Sequence, residues 1–379
     1  MAHKETTFSS FDTPITNYKI EVEKPLTKDS YIDSNFESEV SSFFKSSDTS
    51  LLLCGDSLSV LKKLPSHSVD CAITSPPYWN KREYDNGGIG LEVHPTQYIK
   101  SLTLILFELK RVLKPQGSLW LNLGDSFSGK KLQGIPWRIA FELIDNQGWI
   151  LRNSVIWNKL KSGMDNSKDR LGNVHENIFH FVLNDKKYFY NADAVRSKAR
   201  ESKVVNGTVV SATGVSGVRY RRQIELSTAL SDIEKTRATT MLETVLNELK
   251  EGLISDFRMI IRGQHRTTHS DMGKVSGRAR ELLDKGFYFL KYHPNGSKPT
   301  DVWTILPEDK KSTHKHFAAY PIDLCIIPIL ATCPLDGVVL DPFCGTGTTL
   351  VAAKYLNRKS IGIDISEKYL LGSLDRLNE

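Results

Sequence analysis

The position of the short apolar runs is the feature that most constrains this chain. Five of them begin near Leu51, Val69, Ser118, Ile150 and Ile178. Between them lie stretches with helical spacing; Ile99, Leu102, Leu106, Leu109 and Leu113 recur on one helix face after Pro95. The rhythm breaks at about residue 196. It returns near the C-terminus with a helix over 317–332, a strand over 337–340, a helix over 350–356, a strand over 360–365 and a helix over 367–377. Two strands cannot make a stable wound sheet, so the last block must join the first. Strands alternating with helices predict an α/β fold, a doubly wound, mostly parallel sheet with helices on both faces. The spacing divides the chain into an N-terminal arm or loosely packed lead-in (1–48), a first half of the sheet domain (49–195), a middle region (196–298) and a second half of the sheet domain (299–379).

The 379 residues are 40% hydrophobic and 25% charged, enough apolar material for an ordinary core and too much for wholesale disorder. The five cysteines, Cys54, Cys71, Cys325, Cys333 and Cys344, form no CxxC pair, which argues against a disulfide scaffold and a cysteine zinc site. No apolar run approaches the ~20 residues that span a bilayer, and the first ten residues lack the apolar core of a secretory signal. The chain therefore reads as soluble and cytoplasmic. His265 and His269 sit four apart but offer too few ligands for a metal, and no metal is expected. Trp120, Trp137, Trp149 and Trp157 read as core.

Net charge is +6 and is unevenly placed. Residues 196–298 hold 19 Lys and Arg against 11 Asp and Glu, a net of +8, which leaves −2 for the rest. A basic segment suits a polyanion. Arg219, Arg221, Arg222, Arg258, Arg262, Arg266, Arg278 and Arg280 are its candidate contacts to phosphates or guanine edges, about three of them expected to make such contacts and the rest read as solvated.

Two loops carry the candidate chemistry. Asp341 to Thr349 (DPFCGTGTT) lies between a strand and a helix; Gly345 and Gly347 permit a tight turn and a close ligand. Asp364 ends the next strand, where an acid can accept from ribose hydroxyls. The third glycine of a dinucleotide fingerprint is absent, since position 350 is Leu, and no Gly-Lys-Ser/Thr element for a triphosphate follows. The loop suits an adenosine ligand smaller than a dinucleotide, and a nicotinamide oxidoreductase is disfavoured. The second loop, Ser75-Pro76-Pro77-Tyr78, follows another strand. Its prolines stiffen the chain and leave the preceding carbonyl free, Ser75 adds an acceptor, and Tyr78 with Trp79 offers an aromatic plate. That combination suits an exocyclic amine on a planar ring.

Thr74-Ser75-Pro76-Pro77-Tyr78-Trp79 followed, 266 residues after Ser75, by the Asp341–Thr349 loop resembles the amino-methylating DNA methyltransferases. The order, catalytic loop first and cofactor loop after the basic segment, is similar to their permuted beta group. Serine at the first loop position is similar to the cytosine-N4 type; adenine-N6 enzymes more often carry Asp or Asn there. The resemblance covers about 50–195 and 299–377. It implies a circularly permuted Rossmann-like methyltransferase fold, a doubly wound seven-stranded mixed sheet, with S-adenosylmethionine as cofactor. Asp56, Asp341, Phe343, Gly345, Gly347, Thr348 and Asp364 would bind the cofactor, Asp56 on the adenine side and Asp364 at the ribose. Ser75, Pro76, Pro77 and Tyr78 would be catalytic. Residues 316–321 resemble the segment before the cofactor loop, and 173–181, with Glu176, a later family motif. The middle region would recognise double-stranded DNA, and the expected activity is methylation of a flipped cytosine at N4. The expected setting is a restriction–modification system, with a cognate endonuclease as functional partner. Adenine-N6 methylation and a non-catalytic nucleotide- or DNA-binding regulator remain alternatives. No cysteine nucleophile is needed for transfer to an amine.

Overall fold

The computed structural model describes residues 36–81, 88–160, 167–205, 207–263, 277–307 and 320–379. They fall into two compact units, 195–299 and the remainder. The ten principal strands are β1 (Ser50–Cys54), β2 (Val69–Thr74), β3 (Leu113–Leu123), β4 (Ile150–Asn158), β5 (His175–Val182), β6 (Asp256–Ile261), β7 (Phe287–Tyr292), β8 (Val302–Thr304), β9 (Val338–Asp341) and β10 (Lys359–Asp364). The helices are α1 (Phe36–Lys45), α2 (Ser57–Lys63), α3 (Pro95–Val112), α4 (Ile135–Asp145), α5 (Gly217–Glu225), α6 (Asp232–Lys250), α7 (Arg278–Lys285), α8 (Asp323–Thr332), α9 (Thr348–Tyr355) and α10 (Glu367–Asn378).

The larger unit is one sheet in the order β1-β10-β9-β2-β3-β5-β4-β8. Neighbours pair in parallel except around β5, which runs antiparallel to both β3 and β4. The C-terminal pair β9–β10 is inserted between β1 and β2, so distant parts of the chain complete one surface. The seven expected strands are present, and the sheet has an eighth. β8 is three residues long and pairs only with β4, too short to show alternation in sequence.

Successive side chains of a strand face opposite sides, and the sheet uses both. Val69 and Ala72 of β2, Leu119, Leu121 and Leu123 of β3 and Leu340 of β9 pack in one core with α1 to α4. Cys71, Ile73, Trp120 and Val339 pack in the other with α8 and α9. The lead-in differs from its expectation. Residues 36–45 form α1, whose Phe36, Val40 and Phe43 are buried in the first core. Trp137 differs too. It is 40% exposed on α4, edge-on to Phe179, whereas Trp120, Trp149 and Trp157 are buried. All five cysteines are free thiols. No helix among the described residues is long and apolar enough to cross a membrane.

The smaller unit has its own core. Tyr220 and Ile224 of α5, Ala238, Leu242, Val245 and Leu246 of α6 and Phe257, Met259 and Ile261 of β6 pack together. β6 and β7 form an antiparallel ribbon. Ser231 and Glu234 form a capping box that starts α6 at Asp232.

His180 on β5 is a buried polar group inside the larger unit. Its ring stacks on Trp120 at 4.2 Å, and Nε2 lies 3.2 Å from Ser118 Oγ. Burial, with the Arg152 charge, pushes its pKa from 6.5 down to about 3. The unfolded chain therefore takes up a proton that the folded chain refuses. Stability from this group is complete above pH 6.5 and falls as pH drops toward 3. Denaturant unfolding should show a loss of about 2 kcal/mol between pH 6.5 and 5 that His180→Phe abolishes; an unchanged slope in the variant contradicts this assignment.

Candidate active site

Four adjacent parallel strands, β1, β10, β9 and β2, end on one edge of the sheet. Cys54 of β1 lies opposite Asp364 of β10, and Asp341 of β9 opposite Gly362. That register brings the sequence-predicted cofactor residues together. The Gly55 amide donates to the Asp364 carbonyl at 2.9 Å, and Ser57 Oγ donates to the Pro342 carbonyl at 2.5 Å. The Gly345 amide donates to Asp364 Oδ2 at 2.9 Å, and the Ser366 amide to Oδ1 at 2.9 Å. With the Ile365 amide as a third donor, the two oxygens of Asp364 keep a single lone pair between them. Burial raises the Asp364 pKa, against the pull of the Ser366, Gly345 and Ile365 amides. Asp56 caps α2 through Oδ2, which accepts from the Ser59 amide and hydroxyl.

Gly345 and Gly347 both adopt positive φ, +54° and +76°. For Gly347 the space matters as much: an added Cβ would lie 2.9 Å from Ser373 Cβ on α10. Its missing side chain thus lets α10 pack against the turn. Thr348 is buried and its Oγ1 accepts from Arg376 Nη1 at 3.0 Å. Phe343 is half-buried against the first core.

Asp341 is only 1% exposed. Oδ1 accepts from Thr74 Oγ1 at 2.7 Å and from the Phe343 amide at 3.1 Å. Oδ2 accepts from Thr349 Oγ1 at 2.6 Å and Tyr320 Oη at 2.9 Å. Even with four donors, burial holds its pKa above the usual carboxylate value. Its oxygens are taken by the protein, so it shapes the loop from beneath.

Thr74 ends β2, and the second loop follows. Pro76 and Trp79 are buried; Ser75, Pro77 and Tyr78 are half-buried. Tyr98 Oη of α3 donates to the Pro77 carbonyl at 2.7 Å and holds the turn. Trp79 is not a free plate: its ring N–H donates to the Glu92 carbonyl at 2.8 Å, and its own carbonyl accepts from Ser126 Oγ at 2.7 Å. The Tyr78 ring packs on Gly124, where an added Cβ would fall 2.6 Å from a ring carbon. Tyr78 Oη lies 3.0 Å from Ser75 Oγ and donates to Glu176 Oε2 at 2.7 Å. Burial first, then the Glu176 charge, pushes the Tyr78 phenol well above its ordinary pKa, so it stays protonated.

Two participants, Asn122 and Lys159, escaped sequence reasoning. Asn122 of β3 donates Nδ2–H toward Ser75 Oγ (3.2 Å), Tyr78 Oη (2.9 Å) and Glu176 Oε2 (2.8 Å). Glu176, at the start of β5, was singled out only by resemblance and without a role. Lys159 pairs with Glu176 Oε1 and sits over the Trp157 ring at 4.5 Å. The available signal was polarity inside apolar strands: Asn122 between Leu121 and Leu123, Glu176 beside Ile178 and Phe179. Of the 316–321 segment, residues 316–319 lie outside the described residues; Tyr320 is the member that reaches Asp341.

Seven of the eight candidate DNA contacts are among the described residues, and these fall in the smaller unit. Arg219 and Arg222, one turn apart on α5, are exposed and line an open depression of about 590 Å³. Arg258 on β6 and Arg278 on α7 are also exposed. Arg221 is committed to Glu243 through two bonds of 2.7 and 2.9 Å. Arg262 binds Glu234 and the Ala229 and Leu283 carbonyls. Arg280 lies 3.6 Å from Asp284 on the same helix. Arg266, like His265 and His269, lies outside the described residues.

A mostly parallel sheet thus carries, on adjacent strand tips, a glycine turn with an acid beside it and a Ser-Pro-Pro-Tyr loop. Residues 69–374 match the N6/N4 DNA methylase family, and the chain belongs to it. Among its relatives, the type II methyltransferase M.SfiI of Streptomyces fimbriatus is 30% identical over 84% of this chain and 89% of its own length. The type II methyltransferase M.XycI of Xanthomonas campestris pv. cyanopsidis is 28% identical over 86% and 87%. The solved PvuII DNA methyltransferase (cytosine-N4-specific) superimposes with a TM-score of 0.52 at 15% identity, over 87% of each chain, a likeness of fold. The protein is thus a DNA methyltransferase, of a family whose cofactor is S-adenosylmethionine. The residues present fit that group: Asp364 retains a lone pair for a hydroxyl beyond its three backbone amides, and Gly345 and Gly347 add no side chain to the turn.

Proposed function

We propose that the protein methylates the exocyclic N4 amine of a cytosine flipped out of duplex DNA. The observation that carries this is Ser75 Oγ, held at the tip of β2 beside Tyr78, one strand away from the cofactor loop. S-adenosylmethionine supplies an electrophilic methyl carbon. The chain's own groups orient the nucleophile. Ser75 Oγ and the Ser75 or Pro76 carbonyl accept the two amine hydrogens, which draws the nitrogen lone pair out of ring conjugation and aims it at the donor. Tyr78 stacks on the base, which contributes roughly 1–3 kcal/mol. Flipping costs a few kcal/mol; orientation and fixed dipoles supply most of the rate. The choice of cytosine over adenine rests on serine at the first loop position. Asp364 binds the ribose and Asp56 the adenine side, with Phe343, Gly345, Gly347 and Thr348 lining the cofactor site; Asp341 acts beneath that loop rather than on the ligand. The restriction–modification names of the relatives support a protective role alongside an endonuclease in the cytoplasm.

The 195–299 unit reads the DNA. Its exposed arginines without an ion pair among the described residues, Arg219, Arg222, Arg258 and Arg278, are the proposed contacts; Arg221 and Arg262 hold the unit together.

DNA from cells expressing the protein, digested to nucleosides, should contain N4-methylcytosine. N6-methyladenine overturns the base assignment, and no modified base overturns catalysis. Ser75→Ala should slow transfer by about 100-fold while leaving cofactor affinity unchanged. Replacing both Arg219 and Arg222 by Ala should weaken DNA binding and lower the salt slope by about 2; an unchanged slope removes α5 from the interface.

A further inference from the structure

A serine hydroxyl both donates and accepts, and only its accepting side is useful toward an amine. The side chains behind Ser75 determine which side it presents. Glu176 is 11% exposed, and its carboxylate can only accept. Oε1 takes the Lys159 ammonium; Oε2 takes Tyr78 Oη at 2.7 Å and Asn122 Nδ2 at 2.8 Å. The single phenol proton of Tyr78 is therefore committed to Glu176. Ser75 Oγ lies 3.0 Å from Tyr78 Oη, so in that contact the serine must donate. Asn122 cannot reverse the direction. Its buried Oδ1 has no partner among the described residues, and it meets the cluster through Nδ2 alone. With its proton turned to Tyr78, Ser75 Oγ keeps a lone pair for a substrate.

We infer that Glu176 is a positioning residue for methyl transfer: through Tyr78 it fixes the hydrogen-bond direction at Ser75, so that Ser75 Oγ meets the target amine as an acceptor. The inference rests on the reading of Ser75 as the amine acceptor and holds for a cytosine or an adenine amine alike. Glu176 touches no reacting atom. Lys159, seated on Trp157, makes the device sensitive to one substitution. In Glu176→Gln the ammonium retains the amide oxygen, so the amide nitrogen faces Tyr78. That nitrogen donates to Tyr78 Oη, the phenol proton swings to Ser75, and the serine proton points at the amine. A donor then faces a donor.

The test is single-turnover methyl transfer by the full-length enzyme, with labelled S-adenosylmethionine and DNA from a host lacking methylation. Glu176→Gln should lower the rate constant about 10- to 100-fold with the KM of both substrates within about twofold. Glu176→Asp, which keeps an acceptor-only group, should retain more activity than Glu176→Gln. In a Tyr78→Phe background the relay is already cut, and Glu176→Gln should then change the rate by less than about threefold. A wild-type rate in Glu176→Gln, an equal fold-loss in both backgrounds, or a reversed Asp–Gln order overturns the inference. Ser75→Ala separates the two levels. If that variant transfers methyl at the wild-type rate, the reading of Ser75 itself fails; if it is slow while the Tyr78 cycle is additive, only the role of Glu176 fails.

Discussion

A buried carboxylate joins two stretches of chain that lie far apart in sequence. Asp341 ends β9, Thr74 ends β2, and the 2.7 Å bond between them spans the seam where the C-terminal block enters the sheet. Burying an acid costs free energy unless donors surround it. Here Thr74 comes from one half, and Thr349, Tyr320 and the Phe343 amide come from the other. The donors satisfy the carboxylate only when the halves are in register. The same register sets the cofactor loop beside the Ser75 loop.

From that seam the site extends in two directions. Toward β10 and β1, Asp364 fixes the glycine turn through the Gly345 amide while retaining acceptor capacity for a ligand. Toward β3 and β5, Asn122 and Glu176 support Ser75 and Tyr78. β5 runs against its neighbours, so its N-terminal end, where Glu176 stands, meets the same edge as the C-terminal tips of β2 and β3. A parallel strand in that position would have put its first residues at the opposite edge. The one antiparallel strand is thus what brings the Glu176 carboxylate to the Tyr78 phenol.

Much of this was legible in sequence because it rests on periodicity and local chemistry. The seven longer strands announce themselves as apolar runs, and the two loops as uncommon strings of Gly, Pro and Asp. What escaped depends on contacts between distant residues. β8 is three residues long and is a strand only because β4 offers it an edge. α1 reads as polar lead-in, yet Phe36, Val40 and Phe43 find the core. Trp79 reads as a stacking plate beside Tyr78, but the Glu92 carbonyl draws its ring inward. Eight arginines look equivalent in a basic segment; only tertiary partners such as Glu243 and Glu234 distinguish Arg221 and Arg262 from Arg219 and Arg222. Glu176 looks like any acid at a strand start until its distance to Tyr78 is known.

The most direct measurement is a double-mutant cycle across the seam, with unfolding free energies and S-adenosylmethionine affinities for Thr74→Val, Asp341→Asn and the pair. If the two halves are held in register by this bond, each single change weakens both folding and cofactor binding, and the two losses are coupled by about 1 kcal/mol or more. Losses that add to within about 0.5 kcal/mol, with cofactor affinity unaffected by Thr74→Val, would contradict the claim that one buried carboxylate assembles the site.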